Sequence, residues 1–215
     1  MICGVDEAGK GAVLGPLVIA AAGCASPEEL EGIGIRDSKE LSPSRREELF
    51  PVIIERCSTA VLSVPSADVD RHRLRMNLNR CMARGHAAVI NRLAPSVAYI
   101  DACDVNAERY AHMVREYLAC NCSIISRHHA DTTYPVVSAA SIVAKVVRDR
   151  AIAELSDEYG DIGSGYPSDG KTIAFLRAYI KSNKKNPPIA RKGWSTVTSL
   201  LNEEFQVKIT RFFGP

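Results

Sequence analysis

The chain lacks any apolar run long enough to cross a bilayer. Its longest uncharged stretch, Gly11 to Pro27, is interrupted by Gly15, Pro16 and Gly23, whereas a spanning helix needs about 20 mostly apolar residues. It lacks the apolar segment of a secretory signal as well, because Asp6 and Glu7 stand where that segment would lie. A cytosolic location is therefore expected. There is no C-x-x-C: the seven cysteines are odd in number, and the nearest two are Cys120 and Cys122. Buried free thiols are expected, rather than zinc or disulfides. A P-loop is missing too, since Gly9-Lys10-Gly11 does not belong to a G-x-x-x-x-G-K-[ST] pattern. No internal repeat or low-complexity segment is present.

Acids are absent from two long stretches. Residues 71 to 93 carry six arginines and residues 171 to 192 carry seven Lys or Arg, with no Asp or Glu in either. The net charge of +2 hides this segregation, because the rest of the chain holds 14 basic against 25 acidic residues. Two basic stretches on an acidic body point to a polyanionic partner; solvated helix faces are the plainer alternative. The 215 residues, 46% hydrophobic and 24% charged, suit one globular domain with an appended subdomain. They exclude a disordered chain, a collagen and a bare coiled coil.

Strands and helices interleave, which predicts an α/β domain with helices packed on a sheet. Strands are expected at residues 1 to 6, Leu17 to Cys24, Thr59 to Val64, Val97 to Asp101 and Cys122 to Ile125. Ser42-Pro43 opens a helix to about Cys57, with serine as the cap and proline at the first helical position. Leu74, Leu78, Cys81, Val89 and Leu93 mark one side of a long helix. Further helices are expected at Ala107 to Cys120, Pro135 to about Tyr159, Thr172 to Asn183 and Ser195 to Phe205. The stretch Val136 to Val147 is apolar nearly all round and should be deeply buried. Asp37-Ser38-Lys39 reads as a polar turn, and Phe205 to Pro215 as a tail.

Four carboxylates fall at element ends. Asp6 and Glu7 close the first strand, Asp101 closes the Val97-to-Asp101 strand, and Asp131 precedes the buried helix. Strand ends beside loops are where α/β folds build sites. If the first and fourth strands are neighbours, Asp6 and Asp101 face each other. Converging carboxylates repel and raise one another's pKa, unless hard cations lie between them. Mg²⁺ prefers oxygen ligands, and two such ions can clamp a phosphodiester, one activating water and the other stabilising the leaving oxygen. Taken singly, Asp6, Asp101 and Asp131 each read more simply as ordinary turn or cap acids. Gly9 and Gly11 allow a backbone to approach a ligand closely.

Several motifs in order resemble the type 2 ribonucleases H. Asp6-Glu7-Ala8-Gly9-Lys10-Gly11 with Gly15-Pro16-Leu17 resembles their opening, and Asp37-Ser38-Lys39-x-Leu41-Ser42-Pro43 their next motif. Tyr99-Ile100-Asp101, Asp131 and Ser138 to Asp149 follow, while Gly163 to Asp169 and Arg191-Lys192-Gly193-Trp194 are similar to the archaeal branch. The resemblance covers about residues 1 to 200. It implies the ribonuclease H fold: a five-stranded mixed sheet flanked by helices, with a helical C-terminal extension. It implies endonucleolytic cleavage of RNA in RNA–DNA hybrids and at single ribonucleotides in DNA, leaving 5′-phosphate and 3′-hydroxyl ends, in DNA replication and repair. By the same resemblance Asp6, Glu7, Asp101 and Asp131 are the catalytic acids that hold Mg²⁺ or Mn²⁺, two per site. Gly9, Lys10 and Gly11 would contact the 2′-hydroxyl side of the ribonucleotide, Tyr166 would stack on the following sugar, and Lys39 would contact a phosphate. Many members carry Arg where Lys10 stands and Thr where Val147 stands.

Gln206-Val207-Lys208-Ile209-Thr210-Arg211-Phe212-Phe213 resembles the box through which proteins bind a DNA sliding clamp. Ile209, Phe212 and Phe213 would share one side of a helical turn and fill an apolar pocket, with Gln206 hydrogen-bonding nearby. A tail folded back on its own domain is the alternative. The organisation expected is a catalytic domain at 1–160, a helical extension at 161–205 and a clamp-binding tail at 206–215, acting as a monomer. Two rivals remain at this stage: another nuclease of the same fold, such as a junction resolvase, and a non-catalytic nucleic-acid adaptor.

Overall fold

The structure, a computed structural model, describes residues 1–35 and 41–213, with side chains as far as Gln206. The strands are β1 (Ile2–Ala8), β2 (Leu17–Cys24), β3 (Ser58–Val64), β4 (Val97–Asp101) and β5 (Ser123–Arg127). The helices are α1 (Pro43–Arg56), α2 (Ser66–Arg73), α3 (Leu78–Leu93), α4 (Ala107–Arg115), α5 (Ala130–Thr133), α6 (Pro135–Tyr159), α7 (Gly170–Asn183) and α8 (Ser195–Phe213). The strands form one mixed sheet in the order β3-β2-β1-β4-β5. β1 runs antiparallel to β2 and parallel to β4, and β4 is parallel to β5. This is the five-stranded mixed sheet with flanking helices that the sequence motifs imply.

The chain divides into two compact units. The first comprises Met1–Ala8, Val18–Ser63 and Met76–Arg148 and contains the sheet. β2 is buried at every residue, as its unbroken apolar run predicts. Val18, Ala20 and Ala22 share a core with Leu49 and Ile53 of α1 and with Val137, Ile142 and Val143 of α6. The α6 axis passes so close to β1 that only glycine fits at position 4: a Cβ there would lie 2.1 Å from the backbone carbon of Val136. α3 packs against β1 and α4, and α4 against β5.

The second unit comprises Gly9–Leu17, Val64–Arg75 and Asp149–Pro215. Val13 and Leu14 enter its core with Ile152, Ile162, Leu176, Ile180, Val197 and Leu200. α7 packs against α8. No helix among the described residues is long and apolar enough to cross a membrane. All seven cysteines are free thiols.

Three helical expectations need correction. The helix projected through Leu74 is two helices. α2 ends at Arg73, Leu74 is 88% exposed, and α3 starts afresh at Leu78. Asn77 causes the restart: it is extended and its side chain accepts the N–H of Arg80 at 2.9 Å. The buried residues of α3 are Met82, Ala83, Gly85, His86, Ala87, Ile90 and the expected Val89. α4 stops at Arg115 rather than Cys120, because Asn91 takes over the chain beyond it. Asn91 donates to the carbonyl of Tyr117 at 3.1 Å and accepts from the N–H of Ala119 at 2.8 Å. α8 continues to Phe213 instead of ending at Phe205, since no glycine or proline interrupts it before Gly214.

Candidate active site

The register of the sheet brings two of the four acids side by side. Val5 lies opposite Ile100, the last matched pair of the parallel β1–β4 ladder, so Asp6 and Asp101 each follow one residue on and project from the same face. Asp6 is buried at 7% exposure. Its Oδ1 accepts the N–H of Glu7 at 2.8 Å, and the Ser141 hydroxyl of α6 also hydrogen-bonds it. Asp101 Oδ1 accepts the N–H of Ala130 at 3.2 Å. That bond fastens the start of α5, whose next residue is the buried Asp131.

Burial pushes the Asp6 carboxyl up to about 8, and the negative charges of Glu7 and Asp101 push in the same direction. The hydrogen bonds from Ser141 and from the Glu7 amide oppose the rise. A buried acid raised by neighbouring acids is what a divalent cation relieves. The donors are hard oxygens, so this set suits Mg²⁺ or Mn²⁺.

Glu7 follows Asp6 on the strand and so points to the opposite face, toward α3. There its Oε2 lies 3.2 Å from Nε2 of His86, and its Oε1 accepts the Cys103 thiol at 3.1 Å. Nδ1 of His86 lies 3.2 Å from the Tyr110 hydroxyl. His86 and Tyr110 are wholly buried. Burial, reinforced by the charges near it, holds the Tyr110 phenol well above its ordinary pKa, so it stays a donor. One tautomer satisfies the chain: Tyr110 donates to Nδ1, Nε2–H donates to Glu7, and Cys103 donates to the other Glu7 oxygen. The carboxylate of Glu7 is thus held at both oxygens.

The segment after Asp101 is fixed in its turn by Asp104. Its carboxylate accepts from the Asn106 N–H at 2.9 Å, from Asn79 at 2.8 Å and from the Arg109 guanidinium. Those bonds, the Asn106 amide foremost, hold Asp104 below the usual carboxylate range. Asn79, Arg80, Asp104 and Arg109 line a polar groove of about 950 Å³ that contains none of the four acids.

In the second unit the glycine turn meets Tyr166. Gly9 takes φ +85°, a conformation open to glycine but strained for other residues. Its N–H donates to the Tyr166 hydroxyl at 3.0 Å, and the Ala12 N–H closes the turn on the Gly9 carbonyl at 3.2 Å. Gly11 is exposed with open space around it, and Lys10 is half-buried. Val13 and Leu14 donate to the carbonyl of Gly165 at 2.8 and 3.1 Å. The fully buried Arg191 donates to the carbonyls of Lys10 and Gly15 at 3.1 and 3.2 Å, and lies over the Trp194 ring.

Comparison with known proteins decides the family. The family model described as Ribonuclease HII matches residues 3–197. A Ribonuclease HII of Methanoregula boonei is 60% identical over 99% of this chain and 100% of its own length. The chain belongs to the ribonuclease HII family. Among solved structures, a ribonuclease H2 of Pyrococcus horikoshii superposes with a TM-score of 0.89 at 39% identity, covering 95% of this chain and 99% of that one. A PCNA:RNase HII complex of Archaeoglobus fulgidus gives 0.86 at 40% identity, covering 93% and 96%. As a ribonuclease HII family member the protein is a ribonuclease H, an endonuclease.

Of the residues expected at the site, the structure brings Asp6, Glu7, Asp101 and Asp131 to the ends of β1 and β4 and the start of α5, and it joins Gly9 to Tyr166. Lys39 lies outside the described residues. Gln206 is exposed on α8, and the side chains of Ile209, Phe212 and Phe213 lie outside those described. Sequence reasoning missed His86, Cys103, Tyr110 and Asp104, and named Arg191 only as part of a motif, without a role. A signal for His86 did exist: it stands between Met82 and Ile90 at helical spacing, a polar residue on an apolar stripe. Tracing that stripe through Leu74 and Leu78 hid it.

Proposed function

We propose that this ribonuclease HII family member hydrolyses the RNA strand of RNA–DNA hybrids and incises DNA at embedded ribonucleotides, with Asp6, Glu7, Asp101 and Asp131 as its catalytic acids. The observation that carries the reading is the placement of Asp6 and Asp101 one residue past the last matched pair of two adjacent parallel strands, with the Asp6 carboxyl raised by burial and then by its acidic neighbours. Asp6, Glu7, Asp101 and Asp131 would together hold two Mg²⁺ or Mn²⁺ ions. When bound, such ions supply an activated water and stabilise the departing 3′-oxygen, leaving 5′-phosphate and 3′-hydroxyl ends.

The chain's own residues do the rest. Ser141 and the Glu7 amide orient Asp6, His86 and Cys103 orient Glu7, and Asp101 anchors the helix start that carries Asp131. Gly9, Lys10 and Gly11 bring backbone close to the 2′-hydroxyl, the group that separates RNA from DNA. Tyr166, fixed through its hydroxyl to Gly9, offers its ring to the next sugar, and Lys39 meets a phosphate. The division into residues 1–160 for catalysis, 161–205 as a helical extension and 206–215 for clamp binding is part of this reading. The tail's docking on a sliding clamp through Gln206, Ile209, Phe212 and Phe213 draws support from the box itself and from the PCNA:RNase HII complex of the Archaeoglobus relative.

The deciding experiment is a cleavage assay with Mg²⁺ on a DNA duplex carrying one ribonucleotide, beside all-RNA/DNA hybrid, all-DNA and branched DNA. Incision at the ribonucleotide and within the hybrid only is expected; cleavage of branched DNA instead would replace this reading with a resolvase. Capture of the chain on immobilised clamp, compared with a chain ending at Phe205, tests the tail: equal capture of both removes its role.

A further inference from the structure

We propose that Glu7, His86 and Cys103 form a zinc site, separate in its donor set from the oxygen site of the other acids, and that zinc there inhibits the nuclease by taking Glu7. The inhibition rests on the role proposed for Glu7; the binding does not.

The donors are a carboxylate, an imidazole nitrogen and a thiol, all lying within 4.8 Å of one another. They come from three separate segments: the end of β1, the middle of α3 and the loop after β4. No spacing in the sequence reveals such a set, and zinc here departs from the expectation, drawn from the missing C-x-x-C and a reducing compartment, of free thiols without metal. The separations lie within reach of one ion: Nε2 is 3.2 Å from Oε2 and Sγ 3.1 Å from Oε1. Small side-chain rotations would bring one carboxylate oxygen and the nitrogen to zinc bonds of about 2.0–2.1 Å and the sulfur to about 2.3 Å. A water can complete four-coordination, as at open zinc sites.

The surroundings are built for the imidazole. Tyr110 meets Nδ1 at 3.2 Å and stands edge-on to the ring at 5.6 Å between centroids. A partner on the far nitrogen is the usual support of a metal-ligating histidine, fixing its tautomer and orientation. Access comes from the other side, where Cys103 is half-buried and the Glu7 side chain retains 12% exposure. Sulfur and imidazole favour zinc over Mg²⁺, which demands oxygen. Binding balances simply. Zn²⁺ displaces the thiol proton of Cys103 to solvent. The imidazole proton moves from Nε2 to Nδ1, where it donates to the Tyr110 oxygen, so one proton leaves per ion.

The test uses the full-length, reduced, metal-free protein with Zn²⁺ alone, and with Co²⁺ as its spectroscopic substitute. One equivalent of Co²⁺ should produce a thiolate-to-metal charge-transfer band, absent in Cys103→Ala and retained in a Cys120→Ser/Cys122→Ser variant. Zn²⁺ affinity, read by competition with a chromophoric chelator, should fall at least tenfold in Cys103→Ala. Zn²⁺ should suppress Mg²⁺-supported cleavage equally in the unaltered protein and in Cys120→Ser/Cys122→Ser, half-maximally at the Zn²⁺ concentration that half-fills the Cys103 site in the chelator competition. A band that follows Cys120 and Cys122, or equal Zn²⁺ affinity with and without Cys103, overturns the site. Zinc bound through Cys103 with cleavage undiminished overturns the inhibition. Zinc-free cleavage assays judge the nuclease reading separately, because the cobalt band needs no turnover.

Discussion

At the scale of single residues, Asp6 trades stability against the role proposed for it. Asp101 contributes a carboxylate beside Asp6 and an anchor for Ala130. Asp101→Asn keeps a side-chain oxygen for the anchor but loses the charge. Cleavage should fall by roughly three orders of magnitude or more, with hybrid affinity little changed; turnover near that of the unaltered enzyme would remove Asp101 from the mechanism. Asp6 carries a stability consequence. Its folded pKa is raised from 3.8 to about 8, so between those values the folded state holds more protons than the unfolded state. Its contribution to the stability of the metal-free protein is therefore present in acid and lost as pH rises toward 8. Asp6→Asn should raise the metal-free Tm by a few degrees at pH 8 relative to the unaltered protein, make little difference at pH 5, and abolish cleavage. A lowered Tm at pH 8 would show that the carboxylate is stabilised there rather than crowded. Asp101 was legible as the residue that closes β4, whereas the set of four rests on the family resemblance: Asp6 and Glu7 lie inside β1, which runs on to Ala8, and Asp131 is the second residue of α5. The Glu7–His86–Cys103 network was not legible, since only the folded chain brings positions so far apart in sequence into contact.

At the scale of elements, α6 and its seat on β1 place Ser141 against Asp6. Gly4 makes that seat possible, because any Cβ would overlap the backbone at Val136 and Val137, which cannot swing aside as a side chain would. Gly4→Ala should cost about 3 kcal/mol, a fall in Tm of roughly 10 °C, and weaken cleavage as Ser141 withdraws. A shift below about 2 °C in a thermal melt would mean that helix and strand are not packed this closely. Strong punctuation made elements readable: Ser42-Pro43 opened α1, Pro135 opened α6, and the all-apolar Val136-to-Val147 stretch identified the buried helix. Boundaries failed where a side chain elsewhere in the chain decided them. Asn91, in α3, receives the chain that leaves α4, and nothing within residues 107 to 120 announces it.

At the scale of the whole molecule, the two acid-free stretches are less bare than their sequence. Of their 13 cations, Arg71, Arg80, Lys171, Arg177 and Lys184 face carboxylates. Arg73, Arg92 and the buried Arg191 are engaged by backbone carbonyls. Each phosphate contact adds about −0.9 to the slope of log affinity against log salt. We therefore expect these stretches to contribute a slope of about −4.5 to hybrid binding rather than about −12. Lys181→Gln/Lys185→Gln should flatten the slope by up to about 2, whereas Arg80→Gln should leave it nearly unchanged; the reverse order would show that the paired arginines are the phosphate contacts. The sequence by itself determined the α/β class, the buried strand β2 and the buried start of α6, because apolar runs, alternation and capping residues act over neighbouring positions. Only tertiary structure decided which strands are neighbours, which cations are neutralised and what holds Glu7, because those contacts join residues that no local pattern relates.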